Sequence, residues 1–273
     1  MPSKMPLVFV FCALPCEARS LIRAWKLTKQ LDCQPFAVYA NSERVVTVSG
    51  IGKVAMAGAV AYVMARFLSD PMPILLNIGI AGHRSGAQGA LCLADKVADA
   101  DSGRCFYPQL PFSPPCRTGE LITYVRPNRD YAVDALYDME ASAFYEIAVK
   151  FSSAELIHCL KIVSDNADFS VDTVNEATVE AWCGLGMEVI ENLISRLREL
   201  KRAIPVDALT LSDEIEQVFH FSATNASRLR GLLRRWRLAY GGEQLHWREA
   251  GCRNGKELLL WLEANLNDQR FYL

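Results

Sequence analysis

The chain has 273 residues, a formal net charge of −2 and 51% hydrophobic residues. That is enough to build one large α/β domain or a domain with an appendage, and it excludes disorder as the default state. The near-neutral charge removes any global electrostatic case for a nucleic acid or an acidic membrane surface as partner. Nine cysteines are scattered without a C-x-x-C pair, and no zinc-site spacing joins them to histidines, so buried thiols are expected and neither a metal nor a cofactor is implied.

The apolar run Leu7 to Leu14 is too short for a membrane span and lacks a signal-peptide layout. A soluble, cytoplasmic protein is expected, with this run as a central strand covered on both faces. Pro15-Cys16-Glu17-Ala18 turns into an amphipathic helix with Leu21, Ile22 and Trp25 on one side. Glu17 at that junction reads either as a partner of the helix dipole or as a catalytic carboxylate. Phe36–Tyr39 and Arg44–Ser49 read as strands joined by a turn at Asn41-Ser42. Ser49-Gly50-Ile51-Gly52-Lys53 follows; it lacks Walker spacing, so it gives no phosphate cradle, and a small-residue helix runs from Ala55 to Phe67.

Pro73 to Gly82 reads as a buried strand ending in a glycine-bearing bend. From His83 to Arg117 a strand over Leu91–Val97 is followed by a polar stretch and by four prolines between Tyr107 and Pro115, which exclude regular helix and predict a long surface loop. Such a loop is either functional or a partner-binding excursion. Leu121–Val125 is the next strand, and Tyr137 to Tyr145 starts a helix with Glu140 in or just before its first turn. Leu160-Lys-Ile-Val163 is a buried strand that delivers Ser164, Asp165 and Asn166 to its carboxyl end, where α/β proteins place their ligands. Asp165 is therefore the first catalytic candidate, with an N-cap for a following helix as the bland alternative. Asp172 to Leu200 reads as one or two helices carrying a Val189, Leu193, Leu197 stripe.

Five segments in this order, CALPCEARSLI, SGIGKVAMAGAV, LLNIGIAGH, YDMEASAFYEIA and LKIVSDNAD, resemble those of the purine nucleoside phosphorylase and nucleosidase superfamily, closest to its methylthioadenosine/S-adenosylhomocysteine nucleosidase branch. The resemblance covers about residues 5 to 200. It implies a three-layer α/β/α sandwich around a mixed sheet and hydrolysis of the N-glycosidic bond of a purine nucleoside or a thio-substituted relative. It places the ribose-binding pair on Met139 and Glu140, the purine-protonating acid on Asp165 beside Ser164, and the water-activating carboxylate on Glu17. A homodimer is implied as well.

The departures from the pattern bear on function. Asn77 stands two residues before Gly79, where the hexameric phosphorylases carry a phosphate-binding arginine, and this favours hydrolysis over phosphorolysis. Ile80 replaces a serine. The stretch from Gly82 to Thr118 is short, Thr118-Gly119-Glu120 matches a family turn, and Ile122 replaces an aromatic that stacks on the purine. The substrate contacts implied are thus Glu140, Met139, Ser164, Asn77, Gly79 and Ile122, and a catalytically weak nucleoside-binding or scaffold protein is the alternative reading.

The domains expected are 1–202 and a helical extension over 203–273, with Pro205 at the boundary. Helices are predicted over Ser212–Phe219, Ala226–Leu238 and near Gly255–Leu266, with a Gly241-Gly242 turn. Leu229, Leu232, Leu233 and Trp236 form an apolar stripe. Arg228, Arg230, Arg234, Arg235 and Arg237 on the other faces read as a solvated surface or as a docking face for an anionic protein partner. Nucleic acid is not favoured, because no helix-turn-helix or zinc motif is present.

Overall fold

The computed structural model describes residues 7–68, 72–203, 207–240 and 245–268. The chain divides into two compact units, Met1–Lys201 and Arg202–Leu273. Among the described residues no helix is long and apolar enough to cross a membrane.

The first unit alternates strands and helices, as its apolar runs require. In order it contains β1 (Val8–Cys12), α1 (Pro15–Ala24), β2 (Thr28–Lys29), β3 (Ala37–Ala40), β4 (Arg44–Val48), α2 (Lys53–Phe67), β5 (Ile74–His83), β6 (Leu91–Asp99) and β7 (Cys105–Phe106). Then come β8 (Arg117–Thr123), β9 (Leu136–Asp138), α3 (Ala141–Ala148), β10 (Ile157–Asp165), α4 (Glu176–Leu185) and α5 (Met187–Ala203). β1 lies parallel to both β4 and β5, and β10 lies parallel to β5. β10 also pairs with β6, β6 with β8, β8 with β9, and β9 returns to β5, so five strands close on themselves and leave no edge between them. Both faces are covered. α2 and α3 pack on the face that carries Phe9, Phe11 and Leu75, while Cys16 of α1 and Cys183 of α4 pack on Ile162 of the opposite face. This is a mixed sheet between helical layers, as expected. α5 buries Leu193 and Leu197 of the expected stripe together with Ile190 and Ile194, while Val189 is only half-buried.

Four expectations need correction. β5 runs without a bend through Gly79 and Gly82 to His83, because the bare glycines leave room for side chains from neighbouring elements without interrupting the ladder. Tyr137 and Asp138 belong to β9, and the helix begins only after Glu140, its N-cap. Thr118-Gly119-Glu120 is not a turn, since it lies within β8 and pairs with β6. The stretch after His83 is less irregular than its prolines suggest, with β6 running to Asp99 and β7 pairing back onto it.

In the second unit α6 (Asp207–Val218), α7 (Ala223–Tyr240) and α8 (Gly255–Asp268) enclose their own core of Ile215, Leu229, Leu232, Leu233, Leu258 and Leu262. Trp236 stacks on Trp261 at 5.5 Å between ring centroids. Arg228 and Arg230 form ion pairs with Glu263 and Glu216. Pro205, the Gly241-Gly242 turn and the side chains of Arg234, Arg235 and Arg237 lie outside the described residues.

Candidate active site

A cleft of about 230 Å³ opens at the carboxyl ends of β1, β5 and β10, and among its lining residues are Leu14, Glu17, Ile51, Met139, Glu140, Ser164 and Asp165. Each charged member is placed by a local feature of the backbone. Glu17 sits in the first turn of α1, where its Oε2 accepts from the backbone N–H groups of Ala13 (2.8 Å) and Leu14 (2.9 Å). Its Oε1 reaches across to the N–H of Ile80 at 2.9 Å. The carboxylate thus caps its helix and faces the cleft as well, so the two readings of this residue are not exclusive. Burial raises its pKa, and the backbone donors and Lys161 act in the opposite direction.

Gly79 is what lets that carboxylate in. A Cβ there would lie 2.7 Å from Glu17 Oε1, closer than non-bonded atoms tolerate. Gly79 is therefore a clearance for Glu17 and does not line the cleft. Asn77 also stays out of it; buried one turn of the pleat below, it donates from Nδ2 to the carbonyl of Phe11 at 3.0 Å. Ile122 packs instead on the Tyr131, Ala135 and Tyr137 cluster. Of the eight site residues expected from sequence, the cleft therefore gathers Glu17, Met139, Glu140, Ser164 and Asp165.

Glu140 ends β9's connection to α3 and is buried. Its Oε1 accepts from the N–H of Gly52 at 2.7 Å, and Gly52 has a φ of +98°, a conformation L side chains rarely adopt. The glycine loop after β4 thus serves to bring a backbone donor to Glu140. Burial, followed by the charge of Asp138, pushes the Glu140 carboxyl up to about 7.

Asp165 owes its aim to a bulge. Val163 pairs with Ala81 and Asp165 with Gly82, so Ser164 is an extra residue in β10 with no partner in β5. The Asp165 carboxylate accepts from the Ser164 hydroxyl on Oδ1 and from the Tyr131 hydroxyl on Oδ2. Neither Ser164 nor Asp165 caps a helix. Asn166 closes its own turn by accepting from the N–H groups of Asp168 and Phe169, and α4 starts at a separate cap, Asn175.

Sequence reasoning passed over Lys161, Asp138, Tyr131, Tyr137 and Arg129. Lys161 is 1% exposed, and its Nζ stands 2.9 Å from Asp138 Oδ2. Burial acts to lower the ammonium pKa, but Asp138, Glu140 and Glu17 more than reverse it, so the group is held charged. A lysine within an otherwise apolar strand, LKIV, was the available signal, since lysine is almost never fully buried unless paired. Arg129 lines the cleft, yet both its terminal nitrogens donate to the two oxygens of Asp172 at 2.9 Å. Arg19 and Arg23 on α1 pair with Glu176 and Glu180 of α4.

A mixed sheet that closes partly on itself between helical layers is the fold this chain shares with solved nucleosidase structures. No protein-family model and no curated protein matches its sequence. Among solved structures it is similar to the 5′-methylthioadenosine/S-adenosylhomocysteine nucleosidase of Helicobacter pylori, at 13% identity over 70% of this chain and 99% of that one, with a TM-score of 0.58. The native futalosine hydrolase of the same species gives 13% identity, 71% and 98% coverage and a TM-score of 0.58. The Arabidopsis thaliana 5′-methylthioadenosine nucleosidase in apo form gives 17%, 71%, 96% and 0.54. At these identities the likeness is one of fold.

Proposed function

We propose that the protein hydrolyses the N-glycosidic bond of a purine nucleoside or a thio-substituted purine nucleoside and releases the free base. The observation that carries this reading is the convergence of Glu17, Glu140 and Asp165 on one cleft beside Met139. Breaking the bond sends its electron pair to the base and leaves an oxocarbenium-like sugar. Asp165 acts as the general acid that delivers a proton to the base nitrogen as the bond breaks. Glu140 accepts from the ribose hydroxyls, and its negative charge, with that of Glu17, stabilises the developing cation. Water then adds to the anomeric carbon while Glu17 takes one of its protons.

The engagement of Arg129 with Asp172, and of Arg19 and Arg23 with α4, speaks against phosphate as nucleophile. A panel of purine nucleosides assayed for free base with and without phosphate tests the reading. Release that does not respond to phosphate supports it; release only with phosphate, or none at all, overturns it. With this function we place a homodimer in the cytoplasm, for which exposed Ile51 and Val54 at the start of α2 offer an apolar surface. The second unit is an expected site for a protein partner.

Two outcomes follow from the geometry. A Glu140 carboxyl with its pKa raised to about 7 is protonated below that pH, and a protonated carboxyl neither accepts fully from the sugar nor offsets positive charge. kcat/KM, which reports the free enzyme, should therefore fall about tenfold per pH unit on the acid side of neutrality. A flat profile between pH 5 and 7 would remove Glu140 from that role. Gly79→Ala should push the Glu17 carboxylate off its place and lower turnover by about 10²-fold, with the melting temperature read alongside to separate misplacement from unfolding.

A further inference from the structure

The cleft's volume of about 230 Å³ is below the roughly 300–1,000 Å³ usual for small-molecule sites. Its lining runs from Glu17, Met139 and Glu140, two of which are assigned above to water and sugar, to Gly82, Tyr137, Ser164 and Asp165. The space next to Asp165 is taken by a side chain of the protein. Tyr131 is 8% exposed, its hydroxyl donates to Asp165 Oδ2, and its ring stands edge-on to Tyr137 at 5.6 Å between centroids. A Cβ on Gly82 would meet both occupants, Asp165 Oδ2 at 2.8 Å and Tyr131 Cε1 at 3.0 Å. In this arrangement Asp165 lines the cleft, but both of its oxygens already accept from hydroxyls of the protein.

The backbone bears the mark of this placement. Tyr131 has a φ of +44°, a left-handed conformation that is strained for a bulky residue without a functional reason. It belongs to a largely exposed segment that is tied to the rest of the unit by polar contacts at Arg129, Ala132, Val133 and Asp134. Arg129 is held by Asp172, and the carbonyl of Ala132 accepts from Arg84 at 3.2 Å. Tyr137 is tied both to this segment and outside it: its hydroxyl accepts from the N–H of Val133 (2.9 Å), donates to the carbonyl of the same residue (2.8 Å), and its ring stacks on Tyr124 with 19° between planes.

From this juxtaposition we infer that Tyr131 is a built-in competitor for the base: its phenol ring occupies the base position over Asp165, and a planar heteroaromatic ring must displace it to reach the acid and to pack on Tyr137. The inference rests on the nucleosidase reading. It gives Tyr131 a gating and selecting role, because displacement is recovered only by a ligand that both replaces the hydrogen bond to Asp165 and fills the aromatic contact. A sugar or a non-aromatic leaving group does neither. The apparent affinity for a base is reduced by the fraction of molecules in which Tyr131 is in place.

The test uses free adenine and hypoxanthine as probes. Their dissociation constants are measured by calorimetry for the native chain, Tyr131→Ala and Tyr131→Phe, the last keeping the ring so that packing survives if the alanine variant does not fold. In parallel, nitration of Tyr131 by tetranitromethane is followed by peptide mass spectrometry with and without saturating base. Expected are binding on the order of tenfold tighter in Tyr131→Ala, a smaller gain in Tyr131→Phe, and faster nitration of Tyr131 when base is present. Equal or weaker binding by the variants, or nitration unmoved by the base, overturns the competitor while the nucleosidase reading stands. If no form binds either base and none releases base from any nucleoside, that reading fails and the competitor falls with it.

Discussion

Asp165→Asn is expected to leave nucleoside binding within a few-fold of the native value and to slow base release by about 10²–10⁴-fold. The side chain keeps its shape, and either hydroxyl, from Ser164 or from Tyr131, can still bond to the amide, so the fold around the bulge is retained. What is lost is a carboxyl proton for the departing purine. The assignment makes a sharper demand as well: a riboside whose leaving group departs without protonation, such as a p-nitrophenyl riboside, should be cleaved by the variant nearly as fast as by the native chain. A variant that releases purine at the native rate would show that another group protonates the base. Equal losses with both leaving groups would mean that the substitution disturbs the site as a whole.

Lys161→Met is expected to destabilise the first unit by about 3–5 kcal/mol, the usual effect of removing one partner of a buried ion pair. The side chains concerned are 2% and 1% exposed, so solvent screens neither. With the ammonium gone, Asp138 is left buried beside Glu140 and Glu17, and the charged forms of these groups become unfavourable. Protonation relieves that. A carboxyl whose folded pKa rises above its unfolded value contributes stability at low pH and loses it as pH rises through the folded value, so the deficit should shrink as pH falls from 7 towards about 4. Denaturant unfolding at a series of pH values reads both the size and the slope. The double variant Lys161→Met, Asp138→Leu should recover much of the loss, because removing both partners leaves one fewer buried charge unpaired. A deficit under about 1 kcal/mol in the single variant would show that water reaches the pair.

The two effects are linked through the sheet. Lys161 pairs in register with Gly79, and Asp165, beyond the bulge, pairs with Gly82. One strand therefore carries both the cation that stabilises the carboxylate cluster and the acid at its mouth. Gly79 and Gly82 leave the facing positions bare, so that Glu17 fills the first clearance and Tyr131 with Asp165 the second.

The amino-acid sequence by itself determined the alternation of strands and helices, because largely apolar runs such as VFVFC and LKIV lie within strands that bury completely. It also determined which carboxylates stand at strand ends, since a strand followed by polar residues places them there whatever the rest of the chain does. Glu17 and Asp165 were legible on that basis, whereas Glu140 was marked only by the resemblance of YDMEASAFYEIA, because the strand before it, β9, was read as helix. It did not determine which neighbours share the site, and Asn77, Gly79 and Ile122 were misplaced because side-chain direction depends on pleat and register across strands far apart in sequence. β9 is too short to show a period of its own, and it exists because β5 and β8 offer it ladder partners. Only the tertiary structure decided that Ser164 is a bulge, that Lys161 is buried among three acids and that Tyr131 sits on Asp165. Each of these is a contact between segments separated by tens of residues, and its energy comes from burial and pairing that no local pattern encodes.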